Sequence, residues 1–106
     1  MSESMIRVRD WTIHPGPRYK SLGSYSAELY LEEVLDNAIK EAEEHGTRFT
    51  VDLDGVLGYG PSFIDGSFGE IARRKGRKFF EQHFKVTTTM FAYALDELET
   101  SLDRLS

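Results

Sequence analysis

The stretch VDLDGVLGYGPSFIDGSFGEI, residues 51–71, constrains this chain more than any other. An apolar strand runs through glycines and a proline straight into helical spacing, and a strand feeding a helix is the unit from which α/β sheets are built. Along 48–57 the alternation puts Phe49, Val51 and Leu53 on one side and Thr50, Asp52 and Asp54 on the other, so the two aspartates share a face. Pro61 stands where a first helical residue would, with Gly60 or Ser62 as cap candidates. Phe63, Ile64, Phe68, Ile71 and Ala72 then recur at helical spacing until Gly76 stops the helix. Gly66 and Gly69 each cost such a helix about 1 kcal/mol relative to alanine, which predicts close packing. The expectation is one glycine buried against the sheet and the other facing outward on a binding surface.

The flanking sequence repeats the alternation. Ile6 and Val8 follow strand parity, which flips near Asp10 because Trp11 and Ile13 fall on the opposite side, so a bulge or bend is expected there. Residues 14–23 are dense in turn formers and read as a long loop. A helix follows, with Ser26 as N-cap, a stripe of Leu31, Val34, Leu35, Ala38, Ile39 and Ala42, and Gly46 as its stop. Residues 77–83 give no clear signal beyond the need to bury Phe79, Phe80 and Phe84, and 84–87 fit a short strand. A last helix, capped by Thr88 or Thr89, carries Phe91, Ala94, Leu95, Leu98, Leu102 and Leu105 on one face. Strand, helix, strand, helix, strand, helix implies a small mixed or largely parallel sheet of about three to five strands, packed with about three main helices.

A chain of 106 residues is read as a single domain over 1–106. No apolar run approaches the roughly 20 residues that span a bilayer. The first ten residues lack a signal-peptide core, so no membrane is expected and the expected location is cytoplasmic. There is no cysteine, and His14, His45 and His83 show no paired spacing, so no metal or cofactor site is read. A formal net charge of −5 argues against nucleic acid as a general partner, because such binding depends on neutralising phosphates. Self-association is compatible with all of this.

Two family resemblances attach to the central segment. Asp52-Leu53-Asp54-Gly55-Val56-Leu57 resembles the opening motif of the haloacid dehalogenase superfamily, which would imply a small magnesium-dependent phosphatase using Asp52 and Asp54. The supporting motifs are missing: Asp65, Asp96 and Asp103 all fall within helix patterns. The broader match is Val51-Asp52-Leu53, Gly55-Val56, Gly58-Tyr59-Gly60, Ser62-Phe63, Asp65 and Phe68, followed by Lys85-Val86 and the terminal helix. In these residues the chain resembles the STAS-like domain of unknown function, a relative of anti-sigma-factor antagonists. That resemblance implies a STAS-like α/β fold and a non-catalytic regulatory role, exercised through a protein partner such as a histidine-kinase-type ATPase. In the antagonists an Asp-Ser pair precedes the equivalent helix and the serine is phosphorylated; here the pair falls on Gly60-Pro61, with Ser62 one position on.

The expected partner-binding surface is therefore Gly58, Tyr59, Gly60, Ser62 and Phe63, the first helical turns around Asp65 and Gly66, and Arg18 in the long loop. No catalytic residue is expected. Each position also has a structural use: Ser62 as a helix cap, Asp52 as a brace for neighbouring amides, Arg18-Tyr19-Lys20 as a solvated loop, and Arg73-Arg74-Lys75 as a solvated helix end.

Overall fold

A computed structural model describes residues 2–105 of the chain. Three strands, β1 (Glu3–Arg7), β2 (Arg48–Asp52) and β3 (Phe84–Thr87), lie side by side in that order, and both pairings are parallel. Parallel neighbours need a crossover. The first is a continuous helix over 27–45, made of α1 (Ala27–Tyr30), a π-helical turn (Leu31–Leu35) and α2 (Asp36–His45); the second is α3 (Phe63–Lys75) followed by α4 (Arg77–His83). The last helix, α5 (Ala92–Asp103), closes the described structure. This α/β architecture is consistent with the STAS-like fold that the resemblance implies, with a sheet that is wholly parallel.

Strand register assigns the two faces. Ile6, Val51 and Val86 form one cross-strand row and Phe49 and Phe84 another, all turned toward the helices, where Phe49, Phe80 and Phe84 stack at 5.5 and 5.6 Å. The opposite face carries Glu3 beside Arg48, then Met5, Thr50 and Lys85, then Arg7, Asp52 and Thr87. Helix α3 is the centre of the helical layer, with Phe63, Ile64, Phe68 and Ile71 fully buried.

Several sequence expectations change at the element ends. The parity flip near Asp10 is a 3-10 turn over Val8–Asp10 that takes the chain out of the sheet while Val8 stays buried. Strand β2 ends at Asp52 and not Leu57. The first long helix contains a wide π turn, which lets Tyr30 and Leu35 both reach the core although they are five residues apart. Residues 77–83, which gave no sequence signal, are helix α4.

The glycine expectation is overturned: Gly66 and Gly69 are both buried, and each sits at a helix crossing. A Cβ on Gly66 would lie 3.2 Å from the Ala27 Cβ of α1, and one on Gly69 would lie 3.2 Å from the Ser101 Cβ of α5. Neither glycine faces solvent, because α3 is flanked by helices on both sides.

Candidate functional site

The end of β2 is fixed by its two carboxylates. Asp52 accepts hydrogen bonds from Arg9 Nη1 at 2.8 Å and from the Asp54 amide at 2.9 Å. The Arg9 guanidinium and then that amide hold Asp52 below the usual aspartate range. Asp54 reaches the loop that follows β3: it accepts from the Thr88 hydroxyl, from the Thr89 amide at 2.9 Å and hydroxyl at 2.8 Å, and from the Met90 amide at 3.0 Å. These bonds, the Thr88 hydroxyl foremost, keep it ionised far into acid. Thr88 Oγ1 in turn accepts from the Phe91 amide and so braces the turn before α5; the N-cap position itself is Phe91, not Thr88 or Thr89 as expected, and carries no side-chain cap. Gly55 lies between them at φ +86, and a Cβ there would come within 2.5 Å of Arg9 Cδ, so only glycine fits.

Beyond Gly55 the turn is clamped by tyrosines. The Tyr59 hydroxyl donates to the Leu53 carbonyl at 2.7 Å, and the Tyr93 hydroxyl both accepts from the Tyr59 amide and donates to the Tyr59 carbonyl at 3.0 Å. The Tyr59 ring packs on Phe63 and Phe91. The turn then enters α3 through Ser62, whose φ is +77 and whose side chain makes no cap hydrogen bond. The expected capping role of Ser62 is therefore not what holds this helix. A left-handed serine costs roughly 1–2 kcal/mol, offset by the packing around it. The α3 N-terminus is served from outside: the Asp65 amide donates to the Glu97 carboxylate of α5 at 2.8 Å.

Asp65 joins three elements. Its carboxylate accepts from Arg18 of the long loop, from Arg73 Nη1 at 2.9 Å and from Ser101 Oγ at 2.5 Å, and its carbonyl accepts from Arg73 Nη2 at 2.6 Å. Burial, the largest single influence, pushes this carboxyl upward, but the hydrogen bonds from Ser101, Arg18 and Arg73 together hold it well below the usual range. Neither basic cluster is simply solvated: Arg18 is tied to Asp65, Lys20 pairs with Glu32 at 2.8 Å, and Arg73, Arg74 and Lys75 all have acidic partners. His83 Nδ1 lies 3.0 Å from the Thr47 carbonyl, so it too is engaged.

The structure sorts the expected surface residues into two groups. Tyr59 (6% exposed), Phe63 and Gly66 belong to the core, and Arg18 and Asp65 are partners of one another. Gly58, Gly60 and Ser62 keep partial or full exposure on the turn. Side chains that sequence reasoning passed over lie around them. Leu57 is 72% exposed, Met90 59%, Tyr93 49% and Ile13 48%. All four are anchored to one frame: the Leu57 amide donates to the Ile13 carbonyl at 2.9 Å, the Met90 amide to Asp54, and the Tyr93 hydroxyl to Tyr59. An exposed leucine beside loop glycines and a methionine after three threonines could have been noticed in the sequence; their shared location could not, because it depends on long-range hydrogen bonds. Glu97 and Ser101 were hidden in a helix pattern for the same reason.

Nothing in this geometry supports a phosphatase. Asp52 and Asp54 are spent on a guanidinium, amides and hydroxyls, and do not converge on an open pocket. Among the described residues no group of three or more His, Cys, Asp or Glu is placed to hold a metal ion, and no helix is long and apolar enough to cross a membrane.

Comparison with protein families agrees with the architecture. The model of the STAS-like domain of unknown function matches residues 31–90, from the π turn through α3, α4 and β3 to the Asp54-bound loop. No curated protein and no solved structure gives a significant match. The match leaves out Arg18, Tyr93, Glu97 and Ser101, so the clamps on the turn are built partly from outside the family segment. Covering more than half of the sequence, it shows that the chain belongs to the family of STAS-like domains of unknown function.

Proposed function

We propose that this chain is a non-catalytic regulatory module that binds a protein partner with the C-terminal end of its sheet. The carrying observation is the group of exposed apolar side chains, Ile13, Leu57, Met90 and Tyr93, hung on a turn that is otherwise fixed by hydrogen bonds. Exposed apolar side chains on a rigid frame suit recognition, since little ordering entropy is lost on binding. Gly58, Gly60 and Ser62 contribute backbone and a small hydroxyl to the same surface. Tyr59, Phe63, Asp65, Gly66 and Arg18 serve it from beneath by holding the turn and the start of α3 in place. The partner in this reading is a protein of the histidine-kinase-type ATPase class, as membership of a STAS-like family suggests, and the chain works in the cytoplasm beside it.

Affinity capture from the native cell, with wild type and Leu57→Asp as baits, tests this. The expected result is an ATPase retained by wild type and lost from Leu57→Asp, while both baits give the same circular dichroism. A partner retained equally by both baits, or none retained by either, would sink the reading. Hydrolysis of phosphomonoesters in the presence of magnesium should be absent; turnover abolished by Asp52→Asn would point instead to an enzyme.

A further inference from the structure

We infer that β1 is a self-complementary edge through which two copies of this chain pair, joining their sheets into one of six strands. This surface is separate from the partner surface proposed above. Among the described residues strand β1 pairs with β2 alone and nothing covers its other edge: Glu3, Ser4, Met5 and Arg7 are all exposed. The Arg48 amide donates to the Ser2 carbonyl, so the even-numbered residues of β1 direct their backbone groups at β2. By alternation, Glu3, Met5 and Arg7 direct N–H and C=O outward, where no strand among the described residues meets them.

The sequence of this edge selects its partner. Native sheets commonly protect an open edge with like charges that repel a second copy. Here the strand reads Glu-Ser-Met-Ile-Arg, with opposite charges placed symmetrically about Met5. An antiparallel copy centred on Met5 sets Glu3 against Arg7 of the partner and Arg7 against Glu3 of the partner. These are hydrogen-bonded pairs, the kind that exchange both main-chain bonds, because the outward-facing residues are the ones opposed. The two-fold axis runs perpendicular to the sheet, so the paired charges lie on the same open face, where cross-strand opposite charges attract. Neither Glu3 nor Arg7 has an ion-pair partner among the described residues, while Met5 at the centre is 45% exposed. A shallow apolar cleft of about 280 Å³ lined by Ile6, Trp11, Tyr30 and Val34 runs beside the same edge. A second copy therefore covers apolar surface as well as satisfying backbone groups.

Sedimentation velocity across a concentration series, on the full chain and its charge reversals, decides the matter. Wild type is expected to show a monomer–dimer equilibrium. Glu3→Arg opposes arginines across the seam and Arg7→Glu opposes glutamates, so each alone should weaken dimerisation by at least about tenfold. Mixing the two single variants restores opposite charges at every pairing and should recover the dimer, as should the double reversal Glu3→Arg/Arg7→Glu. Both residues are exposed, and circular dichroism should match wild type throughout. A wild type that stays monomeric at every concentration, leaving the edge to a strand of another protein, overturns the inference. So does a dimer that single reversals leave unchanged, or a mixture that stays monomeric.

Discussion

Replacing Gly69 by alanine should destabilise the protein although it improves the helix. In isolation the change favours α3 by about 1 kcal/mol. At this position the new Cβ would stand 3.1 Å from Asp65 Oδ1 and 3.2 Å from both Cβ and Oγ of Ser101. These atoms have little room to yield. Ser101 Cβ is fixed by the α5 backbone that carries it, and Oδ1 is held by Arg73 and Ser101. Overpacking typically costs about 1–3 kcal/mol, and loosening the Ser101–Asp65 hydrogen bond adds roughly 1–2 kcal/mol, because the acceptor is charged and part-buried. Against the propensity gain of about 1 kcal/mol the net loss is about 1–4 kcal/mol, which for a domain near this size lowers Tm by roughly 5–20 °C. Differential scanning calorimetry measures it. Ser101→Gly in the same chain should make the Gly69→Ala penalty smaller, since the clash is with that side chain. A raised Tm for Gly69→Ala alone would refute the packing argument and, with it, the seam between α3 and α5.

Gly66→Ala should destabilise as well, because the new Cβ would stand 3.0 Å from Cγ of Arg18, itself tied to Asp65, and 3.2 Å from the buried Ala27 Cβ, and the same calorimetry measures it. Ser62→Gly should raise stability by about 1 kcal/mol, since a glycine adopts φ +77 without strain and no cap hydrogen bond is lost, as urea unfolding would report. Tyr93→Phe should speed exchange of the Tyr59 amide, which loses its acceptor, and exchange measured by NMR should show the change at that residue ahead of the core strands. Asp65 has a folded-state pKa below its unfolded value of about 3.9, so its contribution is complete above that pH and is lost as pH falls through and below it. Asp65→Asn should therefore be less stable at neutral pH and show a shallower loss of stability in acid, measured by urea titrations between neutral pH and pH 3.

The order of elements was legible in the sequence because periodicity carries it. Alternation in Phe49, Val51 and Leu53 and helical spacing in Phe63, Phe68 and Ile71 report which side faces the core, and the core decides the fold. Element ends were less legible, since they depend on tertiary partners. Pro61 and Ser62 carry a helix-start signal, yet α3 begins at Phe63 and one of its free N-terminal amides, that of Asp65, is answered by Glu97, 32 positions away. Helix α4 was hidden because its aromatic residues, Phe79 and Phe80, fit a strand as well as a helix, and only the stack on Phe84 resolves them. Strand alternation placed Asp52 and Asp54 on one face, but the strand ends at Asp52 and Asp54 belongs to the turn beyond it. What they do there is set by Arg9 and by residues 88–90, which no local pattern announces.

The claim that the C-terminal end of the sheet is the binding surface is tested most directly by hydrogen exchange on the isolated complex with the captured partner. Amides over 55–62 and 88–93 should exchange more slowly in the complex than in the free chain, with those over α2 unchanged. Protection confined to α2, or to the open face of the sheet, with the β2–α3 turn unaffected, would contradict the account.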